Sequence, residues 1–154
     1  MRWIYVVIVL LAAQTLAVQA EPLADEGVSA PEVAKALGQV GYPADITADR
    51  AGDPLIRSST GKVLFDVYFF QCGQKLRCTS IQFTAPFRHK AVPAATIAAW
   101  NRDHRFGRAF QDLHGIAWVS MDVETTRGMT TEALQADISR WITVINAFEV
   151  FVAR

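Results

Sequence analysis

Only two of the 154 residues are cysteine and three are histidine, and neither sign of charge prevails, with 15 Lys and Arg against 15 Asp and Glu. Each scarcity removes a class of function. Nucleic-acid binders draw much of their affinity from neutralising phosphates and carry a basic excess, so no nucleic acid is expected as a partner. A closed zinc site wants four ligands, and His89, His104 and His114 never stand in a His-x-x-x-His pair. The phosphate-cradling patterns Gly-x-Gly-x-x-Gly and Gly-Lys-Ser/Thr are missing; Gly61-Lys62-Val63 fails at its third position. Ser58 or Ser120 could in principle enter a Ser-His-Asp site, but no Gly-x-Ser-x-Gly elbow presents either as a nucleophile. No repeat and no low-complexity tract is present. The chain is read as non-enzymatic, with no catalytic, metal-binding or cofactor-binding residue assigned and no cofactor expected.

What is present begins at the amino terminus. Arg2, an apolar run from Trp3 to Ala13, and Val18-Gln19-Ala20 before Glu21-Pro22 have the layout of a cleaved export signal, with small residues at minus one and minus three. A membrane span needs about 20 predominantly apolar residues, and Gln14, Thr15 and Gln19 interrupt before that. The expectation is a signal peptide at 1–20 and a periplasmic or secreted protein. An uncleaved anchor is the alternative, and only then would the chain contact a membrane. Taking Met1–Ala20 from the 154 residues leaves 134, enough for one domain with a real core.

In an oxidising compartment Cys72 and Cys78 read first as a disulfide closing the turn Gly73-Gln74-Lys75-Leu76-Arg77 between two strand ends. A redox-active or metal pair is the sharper alternative. Against it, the spacing is not Cys-x-x-Cys and no further ligands lie nearby.

Residues 21–28 have no periodicity and read as a flexible lead. The domain at 29–154 starts with Ser29-Ala30-Pro31-Glu32, a capping box, and Val33, Ala36, Leu37 and Val40 then share a helical face that Gly41 ends. Strands are predicted at 44–48, 55–58 and 62–72, and a fourth carries Thr79, Ile81 and Phe83. In the third, Val63, Phe65, Val67 and Phe69 face one way and Leu64, Asp66, Tyr68 and Phe70 the other. Pro93 opens a second helix in its first turn, with Ile97, Trp100 and His104 along one side. A hairpin of 106–112 and 116–123 follows, its inner row Ala117, Val119, Met121 and Val123. Thr130 caps a last helix on which Leu134, Ile138, Trp141, Ile145, Phe148 and Val152 recur at three or four residues. The order helix, four strands, helix, two strands, helix makes an α+β domain with helices on a mainly antiparallel sheet.

Three segments carry a family likeness: Gly52-Asp53-Pro54-Leu55-Ile56, Cys78-Thr79-Ser80-Ile81-Gln82-Phe83, and Trp100-Asn101-Arg102-Asp103-His104-Arg105-Phe106-Gly107-Arg108-Ala109. Over about Ser29 to Phe151 the chain resembles the YbjN-type domain, a family labelled a bacterial sensory transduction regulator. The resemblance implies a fold similar to type III secretion chaperones, small proteins that often dimerise and bind other chains. It implies no catalytic residues. The export signal and the cysteine hairpin depart from cytoplasmic members, which separates this chain from roles tied to cytoplasmic signalling.

Read on their own residues, Trp100, Asn101, Phe106 and Gly107 make a helix-to-strand joint: an apolar body, an amide that satisfies helix-end groups or enters a left-handed conformation, and a glycine for close approach. Alternatively Arg102, His104, Arg105 and Arg108 present a cationic patch to an acidic peptide or a carboxylate, unless Asp103 and Asp112 neutralise it. Asp66, mid-strand between apolar neighbours, is the most unusual ionisable position, either a site with a raised pKa or a carboxylate on the wetter face. The apolar end, Ala147 to Ala153, is a dimer seam, a groove for an amphipathic helix, or core. The expected function is protein or peptide binding in the cell envelope by a domain that is chaperone-like or regulatory and can form a homodimer. A small-ligand-binding protein or a periplasmic enzyme is the alternative.

Overall fold

The computed structural model describes residues 22–153 apart from 74–75, 89–90 and 127. The leader assigned to Met1–Ala20 lies outside the described residues, as do His89 and the Gln74-Lys75 centre of the cysteine turn. Helix α1 (Ala30–Gln39) precedes strands β1 (Asp45–Ala48), β2 (Pro54–Ser59), β3 (Leu64–Cys72) and β4 (Cys78–Phe87). Helix α2 (Ala94–Asp103), strands β5 (Arg108–Gln111) and β6 (Ala117–Glu124) and helix α3 (Thr131–Val152) complete the chain. This is the α+β order expected. All strand pairings are antiparallel, in the spatial order β1-β2-β3-β4-β6-β5. The four-residue β5 takes the edge.

Alternation along each strand divides the sheet into two unlike faces. Phe65, Val67 and Phe69, then Ile81, Phe83 and Ala85, then Ala117, Val119, Met121 and Val123 point inward and are buried. Over them lies α3, whose Trp141 ring sits 6.0 Å from Phe65 and 5.7 Å from Phe83, while Phe148 lies 4.9 Å from both Phe87 and Trp100. Each such side chain contributes about 1.5–3 kcal/mol of burial, so this inner face is the main source of stability. Helices α1 and α2 add Val33, Ala36, Leu37, Ile97 and Trp100 to the same core. Leu55, Leu64, Tyr68, Phe70, Phe110 and Trp118 belong to the opposite face and have no part in that core.

The helix ends follow local chemistry. Glu32 accepts from both the Ser29 N–H and the Ser29 hydroxyl at 2.8 Å, closing the capping box of α1, and Thr130 Oγ1 accepts from Ala133 N–H at 3.1 Å at the start of α3. Two expectations need correction at α2. Pro93 is the N-cap residue rather than a residue of the first turn, and His104 is the extended C-cap rather than helical.

The stretch read as a flexible lead is also corrected. Pro22 bridges to Thr130 and Val28 to Cys78, Leu23 N–H donates to Met129 O at 2.8 Å, and Val28 is fully buried. Composition shows no periodicity there because the segment is held by backbone bonds to distant residues, which need no side-chain pattern.

Candidate functional site

The Trp100–Ala109 string folds as a joint between α2 and β5. Trp100, at 1% exposure, buries its rings and donates from Nε1 to Gly107 O at 2.6 Å. Gly107 adopts φ +77°, and any Cβ there would run into Val144 of α3 and crowd Val119. Asn101 does something composition did not suggest. It stays helical in α2, and its amide pairs with β5: Nδ2 donates to Ala109 O at 2.9 Å and Oδ1 accepts from Ala109 N–H at 2.8 Å. One side chain thus takes the place of a neighbouring strand on the outer edge of β5. The expectation that Asn101 serves its helix end or turns left-handed is corrected, and this stretch of edge is closed to strand addition.

The four cationic residues of the same string do not converge. Arg102 forks onto its neighbour Asp103 through Nε at 2.9 Å and Nη2 at 3.0 Å. His104 stacks on Trp100 with centroids 3.6 Å apart and approaches Trp100 O through Nδ1 at 3.1 Å. Arg105 lies over Phe106, whose ring Arg140 of α3 also covers at 5.0 Å. Arg108 faces outward from β5 opposite Ser120. Nor does Asp112 neutralise a patch. Its carboxylate accepts from the N–H groups of His114 and Ile116 and from the Trp118 indole, shaping the β5–β6 turn. The apolar C-terminal end is mixed: Phe148 is core, Phe151 packs edge-on to Trp100 and His104, and Val150 is exposed.

A different cluster forms where two central strands part. The β3–β4 register runs from Cys72↔Cys78 to Asp66↔Thr84 and stops there. Continued, it would set Leu64 opposite Pro86, which has no N–H to give, and β4 beyond Ala85 stays with β6 while Leu64 and Phe65 stay with β2. The sheet forks. A slot of about 480 Å³ opens in the fork, lined from the outer face by Arg57, Leu64, Asp66 and Pro86 and from the inner face by Ser58, Val63, Phe65 and Phe87; Lys62, Arg88 and Glu149 of α3 complete it. Burial raises the Asp66 carboxyl above its ordinary value, and the Arg57 charge pulls the other way. Asp66 therefore falls at a candidate site, and sequence reasoning missed its companions. No signal in the sequence marks Arg57, Lys62, Arg88 and Glu149 as neighbours; Pro86 within an apolar strand pattern is the one sign of a break.

A family model described as YbjN, "Putative bacterial sensory transduction regulator", matches residues 29–152. The chain belongs to the YbjN family. The match begins at Ser29, the N-cap of α1, and ends with the last residue of α3. No curated protein and no solved structure matches the chain, so the α+β class of this YbjN domain stands on its own architecture.

Outside the family string, this YbjN domain has a polar hub that sequence reasoning missed. Cys72 and Cys78 are joined as a disulfide and sit opposite each other in the ladder, and Cys78 is fully buried. Around Cys78 the chain closes: its O accepts from Val28 N–H at 3.0 Å and from the hydroxyl of fully buried Thr125 at 2.7 Å. Arg77 ties the hub to α1, donating to Gly27 O at 2.6 Å and to Glu32 at 3.0 Å. Burial pushes the Glu32 carboxyl up, but hydrogen bonds from Ser29 and from Arg77, with the charge of Arg77, outweigh it and hold the group below its ordinary value. Gly27, at φ +99°, leaves no room for a Cβ against the Cys78 carbonyl. Among the described residues no group of three or more His, Cys, Asp and Glu side chains is placed to hold a metal ion.

Proposed function

We propose that this YbjN domain is exported to the cell envelope and acts there, without catalysis of its own, by holding a protein or peptide on the helix-free face of its sheet. The observation that carries the reading is the composition of that face. Leu64, Phe70 and Phe110 are exposed at 72%, 44% and 41%, and Phe110 stacks on half-buried Trp118 with centroids 6.3 Å apart. Large apolar and aromatic side chains that join no core of their own mark a surface made for a partner. Because Asn101 occupies the edge of β5, side chains on the open face rather than strand addition there would make the contact. The leader read in Met1–Ala20 and the disulfide support an extracytoplasmic setting, where thiols oxidise.

Photo-crosslinking residues placed at Tyr68 and Trp118, and at exposed Thr143 on α3 as the control, test the reading in living cells. The same polypeptide should be captured from both sheet positions, and Phe70→Ser with Phe110→Ser should abolish the adduct. Capture from Thr143 alone would overturn it. An intact mass lacking Met1–Ala20 in the envelope fraction is the expected companion result.

A further inference from the structure

We propose that the slot in the β3–β4 fork binds a small zwitterion, an α-amino acid or short peptide with apolar side chains. The slot shares Leu64 with the proposed docking face, so it is tested on the isolated chain, where no protein partner competes.

Beside the slot lies a buried polar atom that has no partner among the described residues. Ser58 is 5% exposed and, among the described residues, its Oγ makes no hydrogen bond, although a buried hydroxyl left unpaired is destabilising. Ser58 lines the slot, and its Oγ is sealed as it stands, so rotation of the side chain about χ1 toward a ligand there would supply the missing bond.

Five ionisable groups line the slot: Arg57, Lys62 and Arg88 carry positive charge, Asp66 and Glu149 negative. Arg57 lies directly opposite Asp66 in the β2–β3 register, yet among the described residues none of the five forms an ion pair or a side-chain hydrogen bond. A bare anion would face Asp66 and Glu149, and a bare cation would face three positive groups. A ligand carrying a carboxylate and an ammonium a few bonds apart satisfies both sets, with its carboxylate toward the guanidinium groups, which suit that geometry. Val63, Phe65 and Phe87 form an apolar wall beside the charges, which calls for an apolar side chain on the same molecule. The volume of about 480 Å³ is in the range of small-molecule sites.

Isothermal titration of the full chain with phenylalanine, the dipeptide Leu-Phe, N-acetylphenylalanine and phenylalaninamide tests the assignment. At least one of the two zwitterions should bind, roughly tenfold or more tighter than its blocked analogues, and the tighter of the two identifies free amino acid or peptide as the source. Arg57→Gln with Arg88→Gln should weaken that binding by about tenfold or more. Ser58→Ala should weaken it severalfold while the melting temperature of the free protein stays level or rises, a split that a purely structural hydroxyl would not produce. Absence of binding by both zwitterions at millimolar concentration, equal affinity for the blocked analogues, or unchanged affinity in the double variant would overturn the proposal.

Discussion

Replacing Asn101 separates a side chain that closes a sheet edge from one that merely sits on a helix. In the wild-type protein its amide makes two hydrogen bonds to Ala109, a residue at 2% exposure on the edge strand β5. Each neutral bond is worth about 0.5–1.5 kcal/mol net, so Asn101→Ala should destabilise by about 1–3 kcal/mol. Asn101 is itself largely exposed, so the truncated variant lets water reach the vacated groups and should fall near the lower end. Asn101→Leu keeps water out and leaves a buried N–H and C=O unpaired at about 1–3 kcal/mol each, so it should be the worse variant in spite of its better helix propensity. Urea unfolding measures both. A second readout follows from the uncovered edge: light scattering should report concentration-dependent association for both variants. If both unfold within about 0.5 kcal/mol of wild type, or if Leu is more stable than Ala, the strand-mimic account of Asn101 is wrong.

Three further outcomes follow from the hub and the joint. Glu32→Gln should cost about 1–3 kcal/mol at pH 7 through weakened bonds to Ser29 and Arg77. Because the folded-state pKa of Glu32 is depressed, the wild-type advantage is full above the unfolded value of 4.5 and should vanish as pH falls through the folded value, which paired urea titrations across pH 3 to 7 would detect. Gly107→Ala, which must hold φ +77° and displace Val144, should lose about 2–4 kcal/mol in thermal or urea unfolding, whereas Gly115→Ala, with φ +76° but open space around it, should lose clearly less. Reduction of Cys72–Cys78 should remove about 2 kcal/mol, and thiol titration of the unfolded, unreduced protein should find no free thiol.

The faces of β3 and α3 were legible because their residues repeat with the period of the element itself: Phe65, Val67 and Phe69 every second residue, Leu134, Ile138, Trp141 and Ile145 every third or fourth. The caps at Ser29 and Thr130 were legible for the same reason, since cap and partner are three residues apart. Residues 22–28 were misread because their bonds run to Cys78 and Met129, and nothing in seven aperiodic residues announces a partner so far along the chain. The cationic string, which the sequence left open between a joint and a patch, shows a different limit. Its residues are adjacent in sequence, but α2 ends, the chain turns at Gly107 and β5 begins within six positions, so successive side chains leave toward different surroundings.

The amino-acid sequence alone determined the element order, the inner and outer faces, the cysteine pair and the family, since each rests on spacing of a few residues or on a local string. Only the tertiary structure decided that Asn101 closes β5, that Arg77 joins Gly27 to Glu32, and that β3 and β4 part to leave a slot lined by Arg57, Ser58, Asp66, Arg88 and Glu149. The reason is physical: a periodic pattern reports which way a side chain points, whereas a hydrogen bond or a slot depends on which elements become neighbours, and that is set by the packing of the whole sheet against its helices.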